Sequence, residues 1–199
     1  MLVVEGPDGV GKTTLCRKLL AGLPGHIYAH FSRLPPGFDY HWGYQERMSP
    51  SIVQDRFHMS EVVYALARGD KPGLTPWEYS LVDARLRLLG GMTVLITAEE
   101  RLVRGRWDES QMYDLDRTLK AARIFTPAGA DSMLESGTTP GPAFLQTEHG
   151  QFVMDVDYRF HCSPEVEWVT DDAIAEILAE YRCRQRATAE IARGRPATL

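Results

Sequence analysis

Apolar residues follow two rhythms along this chain. Short unbroken runs recur: Leu2 to Val4, His26 to Phe31 ("HIYAHF"), "SIVQDRF" from Ser51, and "MTVLITA" from Met92. Their β-branched, continuously apolar character predicts strands covered on both faces. Between them apolar residues return every three to four positions. Leu15, Leu19 and Leu20 do so after the first run, and "HMSEVVYALARG" does so from His58 to a stop at Gly69. In "TPWEYSLVDARLRLLGG", Thr75 is a helix cap and Pro76 the first helical position, with Leu81, Leu86, Leu88 and Leu89 among the apolar residues. Strands alternating with helices predict an α/β fold on a parallel sheet.

The remaining segments are less regular. "SRLPPGFDYHWGYQERMSPS", from Ser32 to Ser51, has neither period and reads as a loop with at most one short helix. "EERLVRGRWDESQMYDLDRTLKAARIF" reads as helix, arginine-rich break, helix. Residues 127–150 carry the Gly, Pro, Ser and Thr of a long flexible insertion with room for one hairpin. "FVMDVDYRFHC" supplies the last strand or two, and a closing helix is capped near Thr170. Residues 1–181 thus read as a single domain, and 182–199 as a basic tail expected to fray.

With 199 residues the chain is long enough to bury a substantial core. A net charge of −5 gives no bulk attraction to a nucleic-acid backbone, though a local basic groove stays open. Cys16, Cys162 and Cys183 are odd in number and widely spaced, which argues against a disulfide framework or a zinc site. No apolar run approaches the ~18 residues of a membrane span, and no targeting segment precedes the first strand. The expectation is a cytoplasmic protein without a membrane partner.

Gly6-Pro7-Asp8-Gly9-Val10-Gly11-Lys12-Thr13 fits G-x-x-x-x-G-K-[ST], set between a strand and a helix as a phosphate-binding loop requires. Glycines let backbone N–H groups converge on phosphate oxygens, and the helix N-terminus adds its positive dipole end. Gly6, Asp8, Gly9, Val10, Gly11, Lys12, Thr13 and Thr14 are therefore the candidate binders of a nucleoside triphosphate. Lys12 would reach the β- and γ-phosphates, and the Thr13 hydroxyl would sit on Mg²⁺. A lysine in such a loop is expected to be exposed in the empty protein; the alternative is a glycine turn with a surface lysine. Two classes that share the loop are disfavoured. No N-K-x-D guanine reader exists, and "MTVLITA" lacks the acid that ends the corresponding strand of motor and transporter ATPases. The acid stands instead at Asp55.

"EGPDGVGKTT" followed by "DRFHMSEVVYA" resembles the thymidylate kinase branch of the nucleoside monophosphate kinases, whose pattern runs E-G-x-D-G-x-G-K-T-T and then D-R-[YFH]-x-x-S-x-x-x-Y. Asp55, Arg56, Phe57, Ser60 and Tyr64 fall on the second pattern. The resemblance implies a three-layer P-loop NTPase fold with about five parallel strands and an arginine-bearing lid over residues 101–112. It also implies ATP and Mg²⁺ as cofactors, a small nucleotide acceptor, and a homodimer. In that scheme Asp55 lies near the metal and the attacking phosphate, or is a strand-end cap. Asp8 contacts the acceptor sugar's 3′-hydroxyl or its nearby metal, or caps a turn. Tyr64 disfavours ribose by bulk near C2′, or is a buried aromatic. A lid arginine meets the migrating phosphoryl group. Arg104 and Arg106 are favoured over Arg101 because Gly105 allows a bend between them, the alternative being a solvated helix face.

Chemistry gives Arg56 a role without the family. Two anionic phosphates must approach in line, so cations are needed on both. Arg56, at the tip of a strand beside the loop, can clamp the acceptor phosphate as a bidentate fork, or pair at the surface with Asp55 or Glu61. Phe57, Glu61 and Tyr64 stand at i, i+4 and i+7, a shared helix face expected to look into the acceptor pocket. Glu61 would read a base N–H there, or pair with Arg56 or Arg68.

The chain departs from the family between its second strand and Asp55, where about twenty residues replace two helices. Aromatics of "GFDYHWGY" can stack on a base or pack over the sheet edge, and Arg33 or Arg47 can replace the family's base-contacting arginine. Such short-interval members resemble phage-type nucleotide kinases. The leading expectation is γ-phosphoryl transfer from ATP to a thymidylate-like deoxynucleoside monophosphate. The alternatives are a kinase for a hydroxyl on a nucleoside or on a hydroxymethylated base in DNA, and a non-catalytic ATP-binding module.

Overall fold

The computed structural model describes residues 1–32, 34–35, 38–107, 114–125, 143–162 and 169–194. Strands β1 (Leu2–Glu5), β2 (Ile27–His30), β3 (Ile52–Asp55), β4 (Met92–Ala98) and β7 (Tyr158–Cys162) form one sheet in the order β2-β3-β1-β4-β7. Every neighbouring pair in it is parallel. Strands β5 (Ala143–Thr147) and β6 (Gly150–Met154) pair separately as an antiparallel hairpin.

The continuously apolar strands β1 and β4 are buried along their whole length. Two cores explain why. On one face Val4, Leu15, Leu19, Val94, Ile177 and Tyr181 pack α1 (Lys12–Ala21) and α7 (Asp171–Ala192) against the sheet. On the other, Val3, Phe57, Val62, Tyr79, Leu95 and Phe125 pack α3 (His58–Arg68), α4 (Pro76–Leu88) and α6 (Leu115–Phe125). This is the three-layer α/β arrangement with a five-stranded parallel sheet. From β1 the chain runs to the edge strand β2, returns through β3 on one side of β1 and then crosses to β4 on the other, and a ligand crevice forms outside the strand ends at such a reversal.

Local signals set the boundaries. Thr75 accepts from the Glu78 N–H while the Glu78 side chain accepts from Thr75 N–H, a capping box with Pro76 inside it. Gly69 ends α3 with φ 78°. The irregular segment after β2 holds one short helix, α2 (Tyr40–Glu46), capped where Asp39 accepts the Trp42 N–H.

Two expectations are corrected. The chain does not fray from Arg182, because α7 continues to Ala192. Arg184 donates to Asp157 at 2.6 Å and Glu180 at 2.8 Å, and Gln185 donates to the Leu89 and Gly90 carbonyls, so tertiary partners carry the helix through its basic stretch. Nor does Gly105 interrupt the segment, since α5 (Glu100–Arg106) runs through it as one helix. The rest of the expected lid, 108–112, and residues 127–142 of the expected insertion lie outside the described residues, as does Arg33. Among the described residues no helix is long and apolar enough to cross a membrane.

Candidate functional site

The glycines of the loop between β1 and α1 are demanded by its path. A Cβ on Gly6, whose φ is +142°, would stand 2.0 Å from the Ile96 carbonyl oxygen of β4. Gly9 and Gly11 adopt φ +79° and +91°, open to glycine at no steric cost. The loop delivers the chain into α1 at Lys12, whose side chain is folded back rather than extended into solvent. Its Nζ donates to the Pro7 carbonyl at 2.5 Å and lies 3.6 Å from Asp8 Oδ1. Lys12 is only 5% exposed, which overturns both the exposed lysine and the surface-lysine alternative. Burial pulls its pKa below the usual lysine value, opposed by the charges of Asp55 and Glu5.

Parallel pairing of β1 with β3, with Val4 opposite Asp55, sets Asp55 beside the loop. Its Oδ2 accepts from the Thr13 hydroxyl at 2.6 Å and the Tyr28 hydroxyl at 3.0 Å, and His30 Nδ1 stands 3.7 Å away. Burial would raise the Asp55 carboxyl, but His30, Lys12, Thr13 and Tyr28 outweigh it and hold it below the usual range. Desolvation and the Asp55 charge push Tyr28 up to about 12. Asp55 Oδ1 is buried and has no hydrogen-bond partner.

That orphaned oxygen tests whether a metal belongs here. A carboxylate oxygen and the Thr13 hydroxyl are hard donors of the kind Mg²⁺ takes, and Mg²⁺ is commonly held by one or two carboxylates plus substrate phosphates. No group of three or more His, Cys, Asp or Glu side chains among the described residues forms a cage of its own. The residues present fit an ion carried in with a phosphate ligand.

Arg56 follows β3 with φ 66°, a left-handed conformation that costs a bulky residue about 1–3 kcal/mol. Its N–H donates to the Val4 carbonyl at 2.9 Å. Glu5, the last residue of β1, is fully buried and accepts the N–H groups of Phe57, Met59 and Ser60 at 2.9, 3.1 and 3.2 Å, and the Ser60 hydroxyl as well. One carboxylate thereby caps α3 and locks the turn that carries Arg56. The Arg56 guanidinium bonds Asp8 Oδ1 and lies 5.1 Å over the Tyr64 ring.

A cavity of about 230 Å³ results, walled by Asp8, Gly9, Gly11, Lys12 and Thr13 on the loop side and by His30, Asp55 and Arg56 opposite. The structure thus brings Asp8, Lys12, Thr13, Asp55 and Arg56 into one cleft. Arg56 pairs with Asp8, not with Asp55 or Glu61. Val10 is buried in the core, and Thr14 is exposed on α1.

Other candidates are placed elsewhere. Phe57 is fully buried, packed against Phe31, Tyr44 and His58, because it is the N-cap of α3 and turns inward; the expectation that it faces substrate is corrected. Glu61 Oε1 accepts the Gly73 N–H at 3.1 Å and does not wall the cavity. Tyr64 is buried beneath Arg56 and against Phe125. Arg104 pairs with Glu100 at 2.6 Å and Arg101 with Glu99 at 3.0 Å. Arg106 begins near the loop: a Cβ built on Gly9 would stand 3.7 Å from Arg106 Cβ. Of the segment "GFDYHWGY", Tyr44 is buried and stacks on Phe31, while Phe38 and Trp42 are exposed. Arg47 lies over the Phe31 ring.

Three residues escaped sequence reasoning. Glu5 had a signal, an acid ending a buried apolar run. Tyr28 and His30 had only their i, i+2 spacing, which puts both on the Asp55 side of β2.

No family model matches the sequence, and no curated protein matches it. Among 31 matching chains of solved structures is YorR of Bacillus subtilis, in complex with phosphorylated GDP. The two superpose with a TM-score of 0.57 over 93% of this chain and 97% of YorR, at 18% identity. At that identity the likeness concerns the fold alone, and it agrees with the three-layer α/β arrangement described above.

Proposed function

We propose that the protein is a nucleotide kinase that transfers the γ-phosphoryl group of ATP to the phosphate of a deoxynucleoside monophosphate. One observation carries the reading: Lys12 of the phosphate loop and Arg56 of the opposite strand end enter the same cleft and meet the same Asp8 oxygen. A cleft that only held a triphosphate has use for the loop lysine. A second cation from the far wall suits a second anion. The phosphorylated nucleotide held by YorR supports a nucleotide ligand in this fold.

Each side chain then has a task. The loop N–H groups and Lys12 hold the donor phosphates and stabilise charge on the migrating group. Thr13 and Asp55 would hold Mg²⁺, which supplies charge neutralisation between donor oxygens. Arg56 grips the acceptor phosphate and brings its oxygen into line. Arg106, rising beside Gly9, is the lid arginine best placed for the transferring group. Asp55, tied through Oδ2 to the Thr13 hydroxyl, is given to the metal rather than to a general base. A phosphate oxygen attacks without a base.

A second reading has its own observation. His30 walls the cleft 3.7 Å from Asp55, an imidazole beside a carboxylate that suits a hydroxyl on a nucleoside or on a hydroxymethylated base in DNA. ATP consumption with Mg²⁺, measured against deoxynucleoside monophosphates, nucleosides and hydroxymethyluracil-containing DNA, separates the readings. Turnover confined to monophosphates supports the proposal. Turnover with nucleosides or DNA alone replaces it by the second reading, and ATP binding without turnover leaves a non-catalytic module.

A further inference from the structure

Asp8 is the one carboxylate among the described residues in contact with both cations of the cleft. The Arg56 guanidinium bonds its Oδ1, and Lys12 Nζ stands 3.6 Å from the same oxygen. The other partner of Lys12 Nζ is a neutral carbonyl, that of Pro7. Asp8 is itself nearly buried, and its Oδ2 has no hydrogen-bond partner. A charged oxygen thus occupies the meeting point of two phosphate-binding cations, while its twin is left unsatisfied. An anion bridging a lysine and an arginine, with hydrogen-bonding capacity to spare, has the electrostatic character of a phosphate oxygen.

We propose that Asp8 competes with phosphate for Arg56 and so couples the two halves of the cleft. The inference rests on the reading of Arg56 as the acceptor-phosphate clamp. Donor phosphates on the loop bring several negative charges next to Asp8, within the same low-dielectric cleft. They draw Lys12 to themselves and repel the Asp8 carboxylate. Arg56 is released as Asp8 leaves, and only then does it take an acceptor phosphate at full strength. Asp8 Oδ1 and Oδ2 are then both available to a hydroxyl donor on the acceptor. A phosphate monoester that arrives before the donor meets an arginine already paired. Donor and acceptor binding become mutually favourable, by the same factor in either order.

The test is calorimetric titration of inorganic phosphate into wild type, Asp8→Asn, Asp8→Ser, Asp8→Glu and Asp8→Asn/Arg56→Ala, each with and without ADP. Wild type should bind phosphate about tenfold more tightly once ADP is present, within the ordinary span of coupling between sites. Asp8→Asn and Asp8→Ser should bind it that tightly without ADP, and ADP should then add little. Asp8→Glu should keep the wild-type dependence, and the gain should vanish in Asp8→Asn/Arg56→Ala. Two neutral variants guard against one failing to fold. Neutral variants that bind phosphate no more tightly than wild type, or that retain the full ADP effect, overturn the proposal. Failure of ADP to bind wild type would instead overturn the nucleotide reading, and a phosphate gain that needs Arg56 would still stand.

Discussion

Thr13 and Asp55, 42 residues apart in sequence, meet through a hydrogen bond of 2.6 Å that ties the first turn of α1 to the tip of β3. The contact joins the glycine loop to the strand end that carries Arg56, and Asp55 Oδ1 is without a partner. The proposed metal position is defined by this pair.

Replacing Asp55 with Asn keeps the shape and removes the charge. Turnover at saturating ATP should fall by about a hundredfold or more, the scale of losing a preorganised electrostatic contact. The Mg²⁺ concentration needed for half-maximal rate should rise. A magnesium titration of the variant checks both, and an unchanged magnesium requirement would remove Asp55 from the metal's surroundings.

Gly6→Ala should cost stability and nucleotide binding together. The added Cβ would sit 2.0 Å from Ile96 O, on a backbone with φ +142°, so β1 and β4 must part or the loop must move. Strain of about 1–3 kcal/mol is the minimum expected from the backbone alone. Thermal unfolding and nucleotide titration should both report the loss, whereas Gly105→Ala, inside α5 with nothing within 4 Å of the new Cβ, should show no loss in either and a small gain in stability.

Acid stability should depend on Asp83 in α4. Its oxygens lie 3.6 Å from His58 Nε2 and 3.0 Å from Arg87 Nε. Burial would raise its pKa, but His58 and Arg87 outweigh burial and hold it below the ordinary 3.8. A carboxylate depressed in the folded state adds stability above its unfolded pKa, and that stability is lost as pH falls through the folded value. Asp83→Asn should therefore cost about 1–3 kcal/mol at pH 7 and progressively less as pH drops below 3.8. Urea unfolding of both proteins at pH 7 and pH 3 checks this; a difference independent of pH would contradict it.

Glu61→Gln should leave the ranking of acceptors unchanged. The glutamine carbonyl can still accept the Gly73 N–H that Glu61 takes at 3.1 Å. Rates measured across a panel of monophosphates should shift together or not at all. A reordered ranking would return Glu61 to the base-reading role that its helical spacing suggests.

What was legible in the sequence follows the range of the interactions involved. Gly6, Gly9 and Gly11 announce the loop because their constraint is local, and Thr75 with Glu78 announces a helix start for the same reason. Asp55 and Arg56 were legible as a strand end next to that loop. Phe57 departs from the face expected for it with Glu61 and Tyr64 because it is the N-cap of α3, outside the helical period, and its ring joins the core. Glu61 is captured by a backbone N–H twelve residues later, which no local pattern encodes. Tyr28 and His30 were hidden in an apolar run read as buried, whereas β2 is an edge strand with open positions. The basic stretch after Arg182 looked solvated because its anchors, Asp157 and the carbonyls of Leu89 and Gly90, come from distant parts of the chain.

In the proposed reaction Arg56 serves the acceptor and Lys12 the donor. Steady-state kinetics of Arg56→Ala, with ATP and the preferred monophosphate varied in turn, tests it most directly. The acceptor KM should rise at least about tenfold, the loss expected from a charge-assisted clamp, while ATP affinity measured by direct titration stays within about twofold of wild type. A loss of ATP affinity as large as the loss of acceptor affinity would rule out this division of labour between Arg56 and Lys12.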